Sequence, residues 1–323
     1  MGEAFLVTGG AGYIGAHVVR ALAKHGHRPV VLDDLSSGRR DFVPEAVPLV
    51  EASVLDVDAV TEVLRAHSCA GVIHVAGFKY AGVSVQRPLH TYQQNVTGTV
   101  RLLEAMQTVG VTTMVFSSSA SVYGTPQTDL VTEATPIGPE SPYGQTKLIG
   151  EWLLADQATA VPGFRQVSLR YFNVVGSGTD EVYDTSPHNL FPLVIEALIE
   201  GRRPHINGDD YPTPDGTCVR DYIHVADLAH SHVVAAEALL AGRELRSAYN
   251  LGSGCGLSVR EIMDAMARVT GYDLDPAINP RRPGDPARIV ADATAAAADL
   301  DWKMRYTIDE MVASAWSARR AHL

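Results

Sequence analysis

The chain has 323 residues, with 26 basic and 37 acidic side chains, so its formal net charge is −11. This balance argues against nucleic acid as a partner, because phosphate neutralisation requires clustered Lys and Arg. The hydrophobic fraction of 46% is typical of globular domains, and no apolar stretch approaches the ~18 residues of a membrane span. Cys69, Cys218 and Cys255 lack disulfide or metal-ligand spacing, and no basic leader precedes the first predicted strand. We therefore expect an acidic, cytoplasmic, globular protein with no metal site and no membrane contact.

The first half of the chain alternates short β-branched runs with amphipathic stretches. The predicted strands are 4–8, 30–33, 71–75, 113–117 and 166–171, and the predicted helices are 13–25, 57–66, 89–109 and 144–159. Beyond residue 173 the pattern is looser, with predicted helices at 190–200, 258–270, 291–298 and 307–318. Strands separated by helices predict a parallel sheet covered on both faces. We expect an α/β fold: a doubly wound parallel (Rossmann) sheet in residues 1–172, to which later segments return, and a smaller α/β substrate domain in residues 173–323.

A glycine-rich segment directly follows the first predicted strand and opens the first predicted helix. Its glycines are Gly9, Gly12 and Gly15. This spacing permits a tight turn and brings a pyrophosphate to the helix N-terminus. Asp33 ends the next predicted strand, where a carboxylate accepts hydrogen bonds from a ribose diol and repels a 2′-phosphate. Arg39 and Arg40 could pair with such a phosphate, but we expect Asp33 to outweigh them, so that the cofactor is NAD rather than NADP.

Tyr143 and Lys147 are four residues apart and share one face if the segment is helical. A phenol is a poor base at neutral pH, but a nearby ammonium group stabilises phenolate and lowers its pKa. A hydroxyl from the serine run at 117–119, at the end of a predicted strand, could orient a substrate alcohol. Together with the glycine loop, this pattern indicates catalysis rather than a solvated helix face.

These motifs resemble the extended branch of the short-chain dehydrogenase/reductase family: the glycine loop, SSSASVYG at 117–124 and the Tyr-x-x-x-Lys segment. Within it, the chain is similar to the UDP-glucose 4-epimerases. That similarity is carried by VLDDLSSG at 31–38, HVAGFK at 74–79, SVQRPL at 84–89, SPYGQTK at 141–147, LRYFNVVG at 169–176, NGDDYPTPDGTCVRDYIHVADLA at 207–229 and YNLGSG at 249–254. It runs from residue 5 to about residue 316. The resemblance implies interconversion of UDP-glucose and UDP-galactose through a 4-keto sugar, on tightly held NAD.

The resemblance also implies residue roles. Tyr143 would remove the 4-hydroxyl proton, Lys147 would hold the cofactor ribose and lower the Tyr143 pKa, and Ser119 would position the 4-oxygen. The implied cofactor contacts are Gly9, Gly12, Tyr13, Ile14, Gly15, Asp33, Asp34, Ser53, Val54, Lys79, Asn95, Tyr143, Lys147 and Phe172. The implied substrate contacts are Lys79, Ser119, Tyr143, Asn173, Asn189, Leu190, Arg220, Tyr222, Arg282, Asp285 and Ile289. Arginines on separate segments suit a dianionic pyrophosphate.

Four positions bear on how closely the chain follows the family. Ser53 stands where an acid usually binds adenine, Gln94 replaces one of two asparagines, and Asn207 replaces an aromatic residue near the uracil. Ile289 falls where the family places the wall beside the sugar C2 substituent. Because a β-branched side chain is stiff, we expect partial exclusion of N-acetyl sugars; an ordinary apolar strand residue is the alternative.

Three other functions compete with this reading. A 4,6-dehydratase would need an Asp-Glu pair after the strand hydroxyl, where this chain has Ala120 and Ser121. Epimerisation of another UDP-sugar (an N-acetylhexosamine, pentose or uronic acid) stays open, as does a non-catalytic NAD-binding scaffold.

The family resemblance also implies a homodimer, with two long helices pairing across a two-fold axis. The apolar residues expected to contribute to that pairing are Val100, Met106, Leu148 and Trp152.

Overall fold

The structure is a computed structural model that describes residues 2–282 and 285–323. The strands are β1 (Ala4–Thr8), β2 (Arg28–Asp33), β3 (Leu49–Glu51), β4 (Cys69–His74), β5 (Thr113–Ser117), β6 (Leu130–Val131), β7 (Arg165–Tyr171), β8 (Asn173–Val175), β9 (His205–Asn207), β10 (Val219–His224), β11 (Ala248–Leu251), β12 (Gly256–Ser258), β13 (Ala277–Asn279) and β14 (Arg288–Ala291). The α-helices are α1 (Tyr13–Lys24), α2 (Val57–Ala66), α3 (Ala81–Gln86), α4 (Pro88–Tyr92), α5 (Gly98–Val109), α6 (Pro142–Ala160), α7 (Leu190–Ile199), α8 (Val225–Leu240), α9 (Val259–Thr270), α10 (Thr294–Leu300) and α11 (Ile308–Arg320). No helix within these ranges combines the length and hydropathy needed to cross a membrane.

The chain divides into two compact units, each assembled from three stretches of sequence. Unit 1 comprises Met1–Gly124, Ile137–Tyr171 and Ala229–Tyr249. Unit 2 comprises Thr125–Pro136, Phe172–Leu228 and Asn250–Leu323. The chain therefore leaves unit 1 after Tyr171 and re-enters it within α8.

The seven-stranded sheet has the order β3-β2-β1-β4-β5-β7-β11, and each neighbouring pair from β3 to β7 is parallel. The chain winds outward from β1 in one direction and then from β4 in the other, so the predicted doubly wound sheet is confirmed. Ligands of such sheets bind at the carboxyl ends of the strands where the winding reverses. Here that point lies between β1 and β4, where the glycine loop follows β1.

Local sequence explains where the helices of unit 1 begin. Asp56 caps α2 by accepting a hydrogen bond from Ala59 N at 3.0 Å. Ser141 caps α6 by accepting from Gly144 N at 3.1 Å, and a proline follows it in the first turn. The predicted helix 89–109 is helical from Pro88 to Val109 but contains a π-helical turn at Gln93–Thr97. This turn carries Asn95, which is 5% exposed.

Unit 2 is built from shorter strands. Its main sheet has the order β12-β10-β14-β6, and β8 also pairs with β10. β12 is antiparallel to β10, whereas β8 and β14 are parallel to it. Capping boxes start α9 and α11, with Ser258 opposite Glu261 and Thr307 opposite Glu310. The buried core of unit 2 includes Ile262, Met263, Met266, Met311 and Val312.

One expected element is wrong, and one helix is missing from the predicted set. The segment 291–298 is not one helix: β14 ends at Ala291 and α10 begins at Thr294, because the backbone at Val290 and Ala291 pairs with β6. The missing helix is α8, whose residues from Ala229 onward belong to unit 1.

Candidate active site

The glycine loop between β1 and α1 is a place of close backbone approach. Gly9 has a φ of 70°, and a Cβ there would lie 2.7 Å from Ala76 N. A Cβ at Gly15 would lie 2.1 Å from Gly9 O, so both glycines are required by the protein's own packing. A Cβ at Gly12 would meet nothing among the described residues nearer than Gly9 O at 3.3 Å. Gly12 therefore keeps the surface open in front of Tyr13 and Ile14, at the positive end of α1, as a bound pyrophosphate requires.

Asp33 organises the end of β2 next to this loop. Its Oδ2 accepts from Ala11 N at 3.0 Å and its Oδ1 accepts from Leu35 N at 2.9 Å. Each carboxylate oxygen keeps a further lone pair for a ribose hydroxyl. Burial raises the pKa of Asp33, and the two backbone hydrogen bonds oppose that rise. The neighbouring Asp34 is exposed, and its Oδ1 accepts from Ser36 N and Oγ.

The two arginines near Asp33 are held by acids of their own. Arg39 Nη2 lies 2.6 Å from Asp41 Oδ2, and Arg40 Nη2 lies 2.6 Å from Glu51 Oε2. Pairing reduces the positive charge available to a 2′-phosphate. The geometry is therefore consistent with NAD at Asp33.

The remaining predicted cofactor contacts lie in different environments. Ser53 Oγ accepts from Leu55 N at 3.2 Å, and the Val54 side chain belongs to the core of unit 1. Lys79 is exposed, and its Nζ lies 5.6 Å from the centre of the Tyr80 ring. Phe172 is buried in unit 2.

Asn95 uses its side-chain amide to connect three segments of unit 1. Its Oδ1 accepts from Phe78 N at 2.6 Å, and its Nδ2 donates to Phe78 O and to Thr146 Oγ1 at 3.0 and 2.9 Å. This contact ties the loop that carries Lys79 to α6. The structure thus gives Asn95 a positioning role through its backbone and hydroxyl partners.

The catalytic candidates of unit 1 meet where β5 ends and α6 begins. Ser119 precedes a 3₁₀ turn, and its Oγ accepts from Ser121 N at 3.1 Å. Tyr143, in the first turn of α6, is 8% exposed and hydrogen-bonds with Ser119. The fold therefore brings the predicted hydroxyl and phenol together.

The pKa of Tyr143 is set mainly by burial. Burial raises this pKa, and the hydrogen bond with Ser119 opposes the rise. Lys147 Nζ lies 5.8 Å from the centre of the Tyr143 ring and donates to Ser117 O at 2.7 Å. Desolvation of the phenolate therefore dominates the pKa of Tyr143, and the lowering effect of Lys147 stays a prediction.

Lys147 is 5% exposed, and burial lowers its pKa to about 8 while the charge of Glu151 opposes the shift. At neutral pH most of this side chain is therefore protonated. An ammonium group held beside the end of β5 can donate to a ribose hydroxyl and stabilise negative charge on a neighbouring phenol.

The rival dehydratase chemistry has no acid and base at the expected place. Ala120 and Ser121 begin the 3₁₀ turn Ala120–Tyr123 after Ser119, and the Ser121 hydroxyl accepts from Ser119 Oγ at 3.1 Å. Neither side chain can protonate a leaving hydroxyl efficiently at neutral pH.

In unit 2, the substrate candidates cluster on β10 and its neighbours. Arg220 on β10 stands opposite Ile289 on β14. Arg220 Nη1 donates to Val219 O and Pro286 O at 2.9 and 2.7 Å, which fixes the guanidinium. Its Nη2 lies 3.4 Å from Asp285 Oδ1 and is buried without a hydrogen-bond partner among the described residues. Ile289 is 9% exposed.

Other substrate candidates flank this group. Asn173 on β8 stands opposite the buried Tyr222 on β10, and its Nδ2 donates to Asp221 O at 3.0 Å. Asn189 precedes α7, which begins at Leu190, and its Nδ2 donates to Asp184 Oδ2 at 2.8 Å.

Asn207, the replacement for an aromatic residue, contacts another candidate. When the Asn207 amide is oriented with its oxygen towards Arg282, that oxygen accepts hydrogen bonds from Arg282 Nε and Nη2 at 3.0 and 3.2 Å. This pairing gives the Arg282 guanidinium a defined orientation that stacking on a ring would not provide.

Sequence reasoning missed Tyr211. Its hydroxyl is buried without a hydrogen-bond partner among the described residues, and the Arg281 guanidinium lies 4.3 Å from its ring centre. The charges of Asp285 and Arg220 both influence its pKa, so Tyr211 belongs to the same cluster. The signal that could have identified Tyr211 is its place in the stretch 207–229, which resembles the UDP-glucose 4-epimerases and in which no role was assigned to Tyr211.

Comparison with known proteins agrees with this geometry. The sequence model of the NAD dependent epimerase/dehydratase family matches residues 5–252. A UDP-glucose 4-epimerase of Erwinia amylovora is 45% identical, over 97% of this chain and 96% of its own length. The crystal structure of a UDP-glucose-4-epimerase from Stenotrophomonas maltophila, with bound NAD and formylated UDP-arabinopyranose, superposes with a TM-score of 0.95 at 38% identity, covering 99% of this chain and 98% of that one. The UDP-Glc/GlcNAc 4-epimerase of Campylobacter jejuni superposes with a TM-score of 0.86 at 35% identity, covering 99% of both chains.

The glycine loop, the Ser119–Tyr143–Lys147 group and these matches agree with one another over nearly the whole sequence. The chain belongs to the NAD dependent epimerase/dehydratase family.

Proposed function

We propose that this chain inverts C4 of a UDP-hexose, interconverting UDP-glucose and UDP-galactose with NAD as its cofactor. The observation that carries the proposal is the meeting of Ser119, Tyr143 and Lys147 at the end of β5 in a dinucleotide-binding sheet. The relatives of matching length named above are epimerases of UDP-sugars.

The cofactor is assigned to unit 1. The backbone at Gly12, Tyr13 and Ile14 would hold the pyrophosphate, and Asp33 would accept from the adenosine ribose. When bound, NAD would supply the redox chemistry at the sugar C4, and its positive charge would favour ionisation of a nearby phenol such as that of Tyr143.

Tyr143 acts as the general base for the sugar 4-hydroxyl. Burial alone keeps its phenol protonated, so the proton transfer depends on positive charge placed beside it. Lys147 supplies part of this charge from a fixed position, since its ammonium group is tied to Ser117 O. Ser119 orients the 4-oxygen, and the same phenol returns the proton after inversion.

The UDP moiety is assigned to unit 2. Arg220 presents one buried guanidinium nitrogen, Nη2, that lies 3.4 Å from Asp285 Oδ1 and has no hydrogen-bond partner among the described residues, and Arg282 is oriented by Asn207. A pyrophosphate would supply the acceptor that Arg220 Nη2 lacks. Holding the nucleotide while the hexose turns allows both faces of C4 to reach one reactive centre.

UDP-N-acetylhexosamines are a second candidate substrate class. The relative from Campylobacter jejuni is described as a UDP-Glc/GlcNAc 4-epimerase. Ile289, buried beside Arg220, is the side chain that we propose limits the space at C2. We expect N-acetyl sugars to be turned over, but more slowly than the hexoses.

We further propose that the enzyme is a cytoplasmic homodimer. Val85, Leu89 and Trp152 are 62, 85 and 58% exposed on α3, α4 and α6, an apolar surface suited to a second copy. The expectation that Met106 and Leu148 contribute to this surface is wrong, since both are buried, Met106 in the core between α5 and the sheet. Light scattering at micromolar concentration should give the mass of two chains, and a monomeric mass would contradict the assignment.

The three free thiols are consistent with a reducing compartment, and cell fractionation tests the location.

The decisive experiment incubates the purified protein with a panel of UDP-sugars and separates the 4-epimers. UDP-glucose and UDP-galactose should interconvert, and denaturation should release NAD rather than NADP. If no UDP-sugar is epimerised, the proposal fails; if NADP is released, the argument from Asp33 fails.

A further inference from the structure

A buried polar network stands behind the proposed catalytic group in unit 1. Glu151 Oε1 accepts from Ser118 Oγ at 2.5 Å and from Arg170 Nε at 2.9 Å, and its Oε2 accepts from Arg170 Nη2 at 2.5 Å. Arg170 Nη1 donates to Tyr123 OH at 2.8 Å. The Glu151 and Arg170 side chains are only 10 and 7% exposed. We call Glu151, Arg170, Ser118 and Tyr123 the Glu151 network.

This network holds the backbone that carries the reacting groups. Ser118 lies between Ser117, whose carbonyl accepts from Lys147, and Ser119, which hydrogen-bonds with Tyr143. Glu151 lies one helical turn beyond Lys147 on α6, and Tyr143 lies one turn before it, so the three side chains share a helix face. One carboxylate thus links the end of β5 to the helix face that bears both catalytic candidates.

The charge of Glu151 also acts on the pKa of Lys147. Titratable groups near that ammonium are Tyr143 on α6, whose ring centre lies 5.8 Å from Lys147 Nζ, and His74 on β4, and Tyr171 on β7 hydrogen-bonds with the adjoining Ser117. Burial lowers the pKa of His74 to about 3 and raises the pKa values of both tyrosines, so all three are uncharged at neutral pH. The Glu151 carboxylate is the group whose charge opposes the desolvation of Lys147.

One further residue, His232, contacts the end of β5 behind the network. Ser117 Oγ hydrogen-bonds with His232 Nε2 on α8 at 2.9 Å, and Arg170 carries the positive charge nearest to Glu151. An ion pair with Arg170 alone would satisfy the carboxylate without any contact to Ser118. Buried ion pairs are weak contributors to stability compared with apolar packing, so the additional link to Ser118 points to a role beyond stability.

We propose that Glu151 is a positioning residue of the reaction: it anchors Ser118, which fixes the backbone that holds Lys147 and Ser119, and its negative charge keeps the Lys147 ammonium charged. The first part rests on the proposed function. The second part is a property of the protein that can be measured without turnover.

The chain offers a direct readout of the charge, because it contains only four lysines: Lys24, Lys79, Lys147 and Lys303. Protein labelled with ¹³C at the lysine Cε, with the cofactor it carries, is titrated by NMR, and Lys147→Arg identifies the resonance. In the native protein Lys147 should titrate near pH 8. In Glu151→Gln its midpoint should fall by about one pH unit, the effect of removing an adjacent opposite charge. Glu104→Gln, which removes an exposed carboxylate paired with Arg101, is the matched control and should leave the midpoint unchanged.

Kinetics test the anchoring. Ser118→Ala keeps the Glu151 charge but removes its hydrogen bond, so kcat should fall by about tenfold, as for loss of one hydrogen bond to a charged group. KM should change little, because the nucleotide contacts are assigned to unit 2. Glu151→Gln should lower kcat and also move the alkaline limb of the pH–rate profile to lower pH, which a purely structural defect would not do.

Glu151→Asp serves if the glutamine variant does not fold. It keeps the charge on a shorter side chain, so the Lys147 midpoint should stay near the native value while kcat falls. An unchanged midpoint in Glu151→Gln, or a shifted one in Glu151→Asp, overturns the charge role; native kcat in Ser118→Ala overturns the anchoring. If the native protein epimerises no UDP-sugar, the proposed function fails, whereas the NMR titration still decides the role of the charge.

Discussion

The two units differ in how they satisfy the polar groups of their candidate sites. In unit 1, Lys147 donates to Ser117 O and the hydroxyl of Ser119 bonds with its neighbours, so the groups expected to react are already held by protein. In unit 2, Arg220 Nη2 and the Tyr211 hydroxyl are buried without hydrogen-bond partners among the described residues. Buried polar groups are normally paired, so the difference indicates fixed chemical geometry in unit 1 and donors suited to a ligand's acceptors in unit 2.

The substitution Tyr143→Phe is the strongest test of the assignment of chemistry to unit 1 and of ligand binding to unit 2. The substitution removes one hydroxyl of a buried ring, so folding and cofactor retention should persist while kcat falls by about 10²–10⁴-fold, the usual contribution of a general base. Turnover is measured by conversion of UDP-galactose. Tyr272→Phe, on an exposed ring of unit 2, is the control. Undiminished turnover in Tyr143→Phe would remove unit 1 as the site of proton transfer.

Arg220→Met should produce the complementary defect. Loss of a charged donor to a phosphate is expected to raise KM for the UDP-sugar by about 10- to 100-fold, with the retained NAD unchanged. Arg203→Met removes an exposed arginine of the same unit and should leave KM unaltered. Equal losses of NAD and of substrate affinity would contradict the assignment of the nucleotide sugar to unit 2.

Ile289 tests whether unit 2 also selects the sugar. If this side chain limits the space at C2, Ile289→Gly should raise kcat/KM for UDP-N-acetylhexosamines relative to UDP-hexoses, and Ile289→Tyr should lower it. A hydrophobic wall discriminates by only about 1–3 kcal/mol, so changes near tenfold are expected. If neither variant alters the ratio by more than about twofold, Ile289 is an ordinary core residue of β14.

The smallest expected effect concerns acid stability, to which unit 1 contributes through His74. This side chain lies between Thr8 and Thr99 hydroxyls at 2.7 and 3.1 Å, and burial lowers its pKa from 6.5 to about 3. Between those values the unfolded chain binds a proton that the folded chain does not, so the stability falls as the pH drops below 6.5. Urea unfolding should show the native protein losing about 1 kcal/mol more than His74→Asn between pH 7.5 and pH 5.5. Equal losses would show that His74 is not responsible.

The comparison of the units also explains how much the sequence revealed. The motifs of unit 1 are formed by residues close together in the sequence, so the glycine loop, Asp33 and the Tyr143–Lys147 spacing could be identified without the structure. The predicted parallel sheet is confirmed. Apolar periodicity also located most of the longer helices, and in the structure capping residues such as Ser141 and Ser258 stand at their starts.

Composition and motif determined the family, the cofactor class and the catalytic candidates, because these depend on residue types at short spacing. Tertiary structure decided the rest. It placed Arg220 beside Ile289 across 69 positions of sequence through the pairing of β10 with β14. It also buried Met106 and Leu148, and desolvated Tyr143 so that its pKa rises. Strand register and desolvation depend on residues distant in sequence that pack together, and no local pattern of the chain contains that information.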